Sequence, residues 1–301
     1  MEGKILVIKK GASGDVIRTS TLLHFLKGDI TWATHIYNKV FLPQHHSQLK
    51  RILSFEETDR ILNENFDCII SLDDDDECAT LATTIKSNKI IGVYKEDEKV
   101  VYTRHLKEWF DMSLISVHGK QRADEIKLDN RKTFQQMLFE GFGMEFNKNH
   151  SYFMNESINA KTITKRIGIE KRAGERWPTK SWNGFDELAG LLKVRGYDIF
   201  FFEQRNNIID YINDVSSCQY VFTGDTLTMH LALYLKIPNV TVFTCTSPWE
   251  IAGYGIMRKV VSPKLATAFY KTKYIPEAVE SITINDMVIA FEDLIAGKNL
   301  E

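Results

Sequence analysis

Three loops in this chain carry the residue types that hold and move charge. The first, Lys9-Lys10-Gly11-Ala12-Ser13-Gly14-Asp15, follows the apolar run Ile5-Leu6-Val7-Ile8. Two glycines allow close backbone approach to a ligand and expose amides at a helix start. The spacing is neither GxGxxG nor a Walker loop, since no Gly-Lys-Ser/Thr follows. It is not the GxSxG elbow either, because Gly14 follows Ser13 directly. Asp15 therefore reads either as the cap of the next helix or as a general base.

The second loop opens the other half of the chain. Between Lys161 and Trp182 lie seven basic residues (Lys161, Lys165, Arg166, Lys171, Arg172, Arg176, Lys180) against Glu170 and Glu175. This local excess runs off a strand through Ala173 to Trp182, with two tryptophans and a proline, and a diphosphate is its natural counter-charge. A solvated basic loop is the plainer alternative. The third loop, Thr223-Gly224-Asp225-Thr226, follows Tyr220-Val221-Phe222 and opens a helix over Leu227 to Leu235, a ready anion corner. His230 lies in that helix, where a satisfied core histidine is the common case. Phe243 to Pro248 adds another hydroxyl-rich strand end, including Thr246.

The elements that must position these loops alternate. Ile5–Ile8, Cys68–Leu72 and Ile90–Val93 read as strands buried on both faces, with a helix over Ala79 to Ile85 between the last two. From Tyr94 to about Tyr152 the pattern is polar and helical, without a strand rhythm. A second alternation begins at Lys165. Phe185, Leu188, Ala189 and Leu192 form one stripe of a helix that Gly196 ends. Strands follow at Asp198–Phe202, Tyr220–Thr223 and Val240–Phe243, with a polar helical stretch between the first two. This is the pattern of an α/β protein with parallel sheets, in two halves: residues 1–155 and 156–301.

Composition excludes several classes. The 301 residues are 44% hydrophobic and 26% charged, with only 17 Gly and 6 Pro, so fibrous and low-complexity chains are ruled out. A net charge of −2 leaves no global field for nucleic acid. The four cysteines show no zinc-like spacing, Cys68 and Cys245 in their apolar runs read as buried thiols, and no apolar run is long enough to span a bilayer. A cytoplasmic protein is expected, with room for peripheral contact at the inner face of a membrane.

Taken in order, these stretches resemble glycosyltransferase family 9, the ADP-heptose heptosyltransferases of lipopolysaccharide core assembly. Matching are Lys4 to Lys9 with Ser13 to Ile17, Gly174 to Trp182, and Thr223 to Thr226 with Met229-His230-Leu231-Ala232. The last continues through Lys236-Ile237-Pro238 to Thr246-Ser247-Pro248. The resemblance implies a GT-B architecture, two Rossmann-like domains facing across a cleft, with acceptor on the N-terminal side and nucleotide sugar on the other. It implies an inverting, metal-independent transferase without a cofactor, the nucleotide sugar being a substrate. Asp15 would then be the base. Lys9, Ser13, Gly14 and Arg18 would meet an anionic glycan or glycolipid acceptor. Lys180, Trp182, Glu203, Gly224, Asp225, Thr226, His230 and Thr246 would hold the donor.

The chain departs from the family pattern in places. Only 22 residue steps separate Glu203 from Asp225, so a strand and helix usual there are cut down. Leu227 stands where many relatives carry Gly, and Thr244-Cys245 replaces a usual Gly-Pro. Three other readings compete. Asp73-Asp74-Asp75-Asp76-Glu77 resembles a metal-binding DxD, against an acidic loop that starts a helix. The same fold serves nucleotide-sugar epimerases, and the trimmed half would also suit a regulatory subunit that only binds nucleotide sugar.

Overall fold

The computed structural model describes residues 1–156, 158 and 161–297. Its contacts divide the chain into two compact units, Met1–Glu156 and Ser157–Glu301. Each is a sheet with helices on both faces.

In the first unit the main sheet's strands are β1 (Glu2–Ile8), β2 (Lys27–Thr34), β3 (Leu49–Ser54), β4 (Cys68–Ser71), β5 (Ile90–Glu96) and β6 (Lys99–Tyr102), in the order β3-β2-β1-β4-β5-β6, and the short segments Asn65–Phe66 and Lys86–Ser87 pair separately. All neighbours pair parallel except β5 with β6, which is antiparallel. The apolar run of β1 follows from its central place. Ile5 and Val7 point into one core with Trp32, Ile70, Leu138 and Phe139, while Leu6 and Ile8 point into the other with Leu53, Ile69 and Leu81. Helices α1 (Ser13–Thr19), α2 (Asp76–Thr84), α3 (Lys120–Asp129) and α4 (Phe134–Gly141) follow in chain order, with shorter helical turns between.

Three of these strands depart from the pattern of the sequence. Strands β2 and β3 interrupt their apolar residues with Thr31, Thr34, Lys50 and Arg51, so no continuous run announces them. The polar pattern after Tyr94 predicts no strand, yet β5 continues to Glu96 and turns back as β6. Asp97 and Glu98 make that turn at φ 47° and 61°, the left-handed pair that suits the twist of a hairpin.

The second unit holds β7 (Arg166–Ile169), α5 (Phe185–Val194), β8 (Asp198–Phe201), α6 (Ile208–Ser216), β9 (Tyr220–Gly224), α7 (Leu227–Tyr234), β10 (Asn239–Phe243), β11 (Met257–Val261) and α8 (Ile284–Ile295). The order is β8-β7-β9-β10-β11, parallel throughout. The stripe Phe185, Leu188, Ala189, Leu192 is buried, and Gly196 ends the helix at φ 86°. The region between Glu203 and Asp225 keeps one helix, α6, capped by Asn207.

Both sheets reverse their winding once. The first runs β1, β2, β3 in one direction and resumes with β4 on the far side of β1; the second resumes with β9 on the far side of β7. The carboxyl ends of β1/β4 and of β7/β9 are therefore topological switch points, where open parallel sheets bind ligands. Among the described residues no helix is long and apolar enough to cross a membrane.

Gly92 in β5 sits at φ 98°, and a Cβ there would be driven into the backbone carbonyl of Ser71. Gly92→Ala is expected to lower unfolding free energy by about 2 kcal/mol in urea titration, through strain at positive φ and displacement of β4.

Candidate functional site

At the β1/β4 switch point the loop after β1 is tied down from two sides. Asp73, the second residue beyond β4, accepts the Lys10 amide at 2.5 Å and the Gly11 amide at 2.9 Å, and its other oxygen is ion-paired with Lys9 Nζ. A Cβ on Gly11 would lie 2.6 Å from that Asp73 oxygen, so the close approach requires glycine. From the other side Asn38 donates to the carbonyls of Lys10 and Gly11, at 3.0 and 2.8 Å, and accepts from Ser13 Oγ at 2.7 Å.

This scaffold holds Asp15. One oxygen of its carboxylate meets Arg18 Nη2 at 2.8 Å and the other lies 3.8 Å from Lys9 Nζ. Its side chain is 34% exposed, whereas those of Lys9 and Arg18 are 6% and 9% exposed. The arrangement is thus a reachable carboxylate on buried cations. Asp15 is not the helix cap, because α1 begins at Ser13 with Ala12 in the cap position.

The cations expected to face an acceptor have other work. Arg18 lies over the Phe134 ring at 4.2 Å from its centroid and over Trp109 at 5.2 Å, so it orients Asp15 from within the core. Lys9 is spent on Asp73. Burial pulls its ammonium down, but the carboxylates of Asp73 and Asp15 outweigh burial and hold it above its ordinary 10.5. Ser13 is bonded to Asn38, and Gly14 is buried in the first turn.

The acidic run after β4 starts a helix. Asp75 caps α2 by accepting the Cys78 amide at 2.8 Å. Ligand atoms of Asp73, Asp75 and Cys78 lie within 4.8 Å of one another, but they suit a hard cation poorly. Asp73 is committed to Lys9 and the loop amides, and burial pushes the Cys78 thiol far above its ordinary range, keeping it protonated.

At the β7/β9 switch point, Lys180 Nζ meets Asp225 Oδ2 at 3.0 Å. The pair is locked by its backbone. A Cβ on Gly224 would lie 2.5 Å from the Lys180 carbonyl, and Thr244 Oγ1 donates to the Thr179 carbonyl. Burial would raise the Asp225 carboxyl, but the Lys180 ammonium and His230 outweigh it and hold it below its ordinary 3.8, with the Thr246 hydroxyl facing it. Thr226 occupies the cap position of α7 without capping it. Its hydroxyl meets that of Thr223 at 2.9 Å instead of turning onto the first-turn amides.

Gly224, Asp225, Thr226, His230, Thr246 and Lys180 are therefore brought together. Trp182 is turned into the core: its indole is 4% exposed against Phe185 and donates to the Ile282 carbonyl at 3.1 Å, which anchors the loop. Glu203 stands exposed just beyond β8, the edge strand next to β7.

Sequence reasoning misses Asp73 and Asn38 as loop anchors, and it counts Arg172 only as part of a charge excess. Glu170, one residue beyond β7, is buried and accepts from Arg172 Nε at 2.8 Å, from Arg172 Nη2 at 2.6 Å and from Tyr211 OH at 2.6 Å. The usable signal for Asp73 and Glu170 is adjacency. Residues just past neighbouring parallel strands share one sheet edge.

Removing one partner of the buried Lys9–Asp73 pair leaves an uncompensated charge. Asp73→Asn is expected to cost about 3 kcal/mol of stability, most of it recovered in Lys9→Met/Asp73→Asn, as measured by denaturant unfolding of the double-mutant cycle. The ionised Asp225 contributes stability above pH 3.8, lost as pH falls through its depressed native value. In Lys180→Met the carboxyl loses its largest stabilising partner, and its NMR titration should move to higher pH, with the acid limb of the stability profile moving the same way.

No family model and no curated relative matches the chain. Solved structures do. Heptosyltransferase WaaC of E. coli, solved with ADP, matches at a TM-score of 0.61 and 14% identity, covering 99% of both chains. A glycosyl transferase family 9 protein of Veillonella parvula matches at 0.61 and 14%, over 98% of this chain and 97% of that one. TibC of enterotoxigenic E. coli, an iron-containing dodecameric glycosyltransferase, matches at 0.57 and 11%, over 99% of this chain and 77% of that one. The chain thus carries the GT-B fold of the glycosyltransferase family 9 heptosyltransferases.

Proposed function

We propose that this protein is an inverting glycosyltransferase that moves a sugar, with ADP-heptose the first donor to test, onto an anionic glycan or glycolipid such as lipopolysaccharide core. The observation that carries the reading is the reachable Asp15 carboxylate, clamped by Arg18 and Lys9 at a switch point of a heptosyltransferase-like fold. Residues 1–155 would take the acceptor and 156–301 the donor.

In this reading Asp15 accepts the proton of an acceptor hydroxyl as its oxygen attacks the anomeric carbon. The bond from that carbon to the diphosphate breaks in line. The departing charge is met by Lys180 and by the first-turn amides of α7 behind Thr226, groups fixed before the reaction begins. No metal is required by this scheme. The chemistry uses a cytoplasmic donor, and an acceptor anchored in the inner membrane would need only peripheral contact.

Nucleotide sugars are screened for thermal stabilisation, since a donor at 100 times its Kd adds about 2.7 kcal/mol, and then assayed for transfer. Asp15→Ala is expected to lose transfer by about 1,000-fold while binding donor within a few fold of wild type. A fully active Asp15→Ala enzyme overturns the assignment of the base. Donor binding without turnover on any acceptor extract favours a binding subunit, and product formed without acceptor favours an epimerase. Activity abolished by EDTA and restored by manganese overturns the metal-free scheme.

A further inference from the structure

Arg172 and Glu170 form a device that the Lys180–Asp225 pair does not account for. Glu170 is 4% exposed, yet its two oxygens accept four donors: the Arg172 amide at 2.8 Å, Arg172 Nε at 2.8 Å, Nη2 at 2.6 Å and the Tyr211 hydroxyl at 2.6 Å. The Tyr211 hydroxyl also meets Thr228 Oγ1 at 2.6 Å, and Thr228 stands in the first turn of α7. A chain of short contacts therefore runs from the start of α7 through Tyr211 and Glu170 to Arg172.

The exposures run opposite to an ordinary surface ion pair. The carboxylate is 5% exposed and the guanidinium side chain 44%. Burying a carboxylate is costly, and apolar side chains would fill the same space without that cost. What the buried carboxylate adds is geometry. Its two oxygens hold Nε and Nη2, one edge of the guanidinium fork, on a half-exposed side chain that follows β7, and a fork fixed in plane in this way suits a phosphoryl group.

We propose that Arg172 is a second diphosphate-binding cation of the candidate donor site, with Glu170 and Tyr211 as its positioning residues. The inference rests on the transferase reading and adds a specific ligand contact to it. Lys180 would act as a point charge and Arg172 as a directional donor, through Nη1 and the remaining hydrogen of Nη2.

The test is calorimetric binding of ADP, UDP, GDP and CDP to the full chain. Wild type is expected to bind at least one of them. Arg172→Gln should weaken that Kd by about 30-fold, the scale of one charge-assisted bond. Arg172→Lys should recover little, since an ammonium cannot occupy the same fork. Tyr211→Phe, which keeps the ring, should weaken binding by a smaller factor. Melting temperatures separate roles: a structural Arg172 would lower the melting temperature of Arg172→Gln without changing its Kd. Binding within twofold of wild type in Arg172→Gln overturns this inference and leaves the transferase reading standing. Absence of nucleoside diphosphate binding in wild type overturns both.

Discussion

The buried ion pair between Lys9 and Asp73 is the contact on which the first unit's loop depends. It joins the ends of two adjacent parallel strands, β1 and β4. Neither charge is tolerable alone at that depth, so the pair fixes where the β1 loop can run. Once Asp73 also accepts the Lys10 and Gly11 amides, the loop has one conformation, and Asp15 is delivered to one place. The second unit repeats the logic with different chemistry, closing the β7 loop on the end of β9 through Lys180 and Asp225.

The strands buried on both faces are legible because a short, unbroken apolar run between turn residues suits a sheet covered on both sides and little else. Strands β4, β9 and β10 lie within one residue of the bounds their residues predict, β1 starts three residues before its apolar run, and the helix that Gly196 ends lies where its stripe places it. Strands β2 and β3 escape because polar residues break their runs, and Arg51 in β3 is spent on Thr31 and Glu64. The β5–β6 hairpin escapes because its turn uses Asp97 and Glu98 where glycine or asparagine is the usual signal.

The candidate sites are legible as loops but not as partnerships. Local spacing identifies a lysine at a strand end, whereas its partner sits on a neighbouring strand's end, 64 positions on from Lys9 in the case of Asp73. In the sequence Asp73 is one acid among five, and only its place beside β1 sets it apart. Arg18 and Trp182 have partners that local spacing conceals in the same way. Both are residue types that bind ligands from surfaces, and here the core claims them, through Phe134 for one and the Ile282 carbonyl for the other.

The quartet Lys9, Arg18, Asp15 and Asp73 is electrically neutral when all four are ionised. It therefore exerts little pull on a distant anion, because the fields of its two cations and two carboxylates largely cancel beyond contact distance. Neutrality ends when Asp15 is replaced by an uncharged side chain. The quartet then carries one net positive charge in a partly desolvated place, where charge is felt strongly. A substitution there is therefore felt as a change of field by the remaining three groups, besides the loss of a carboxylate.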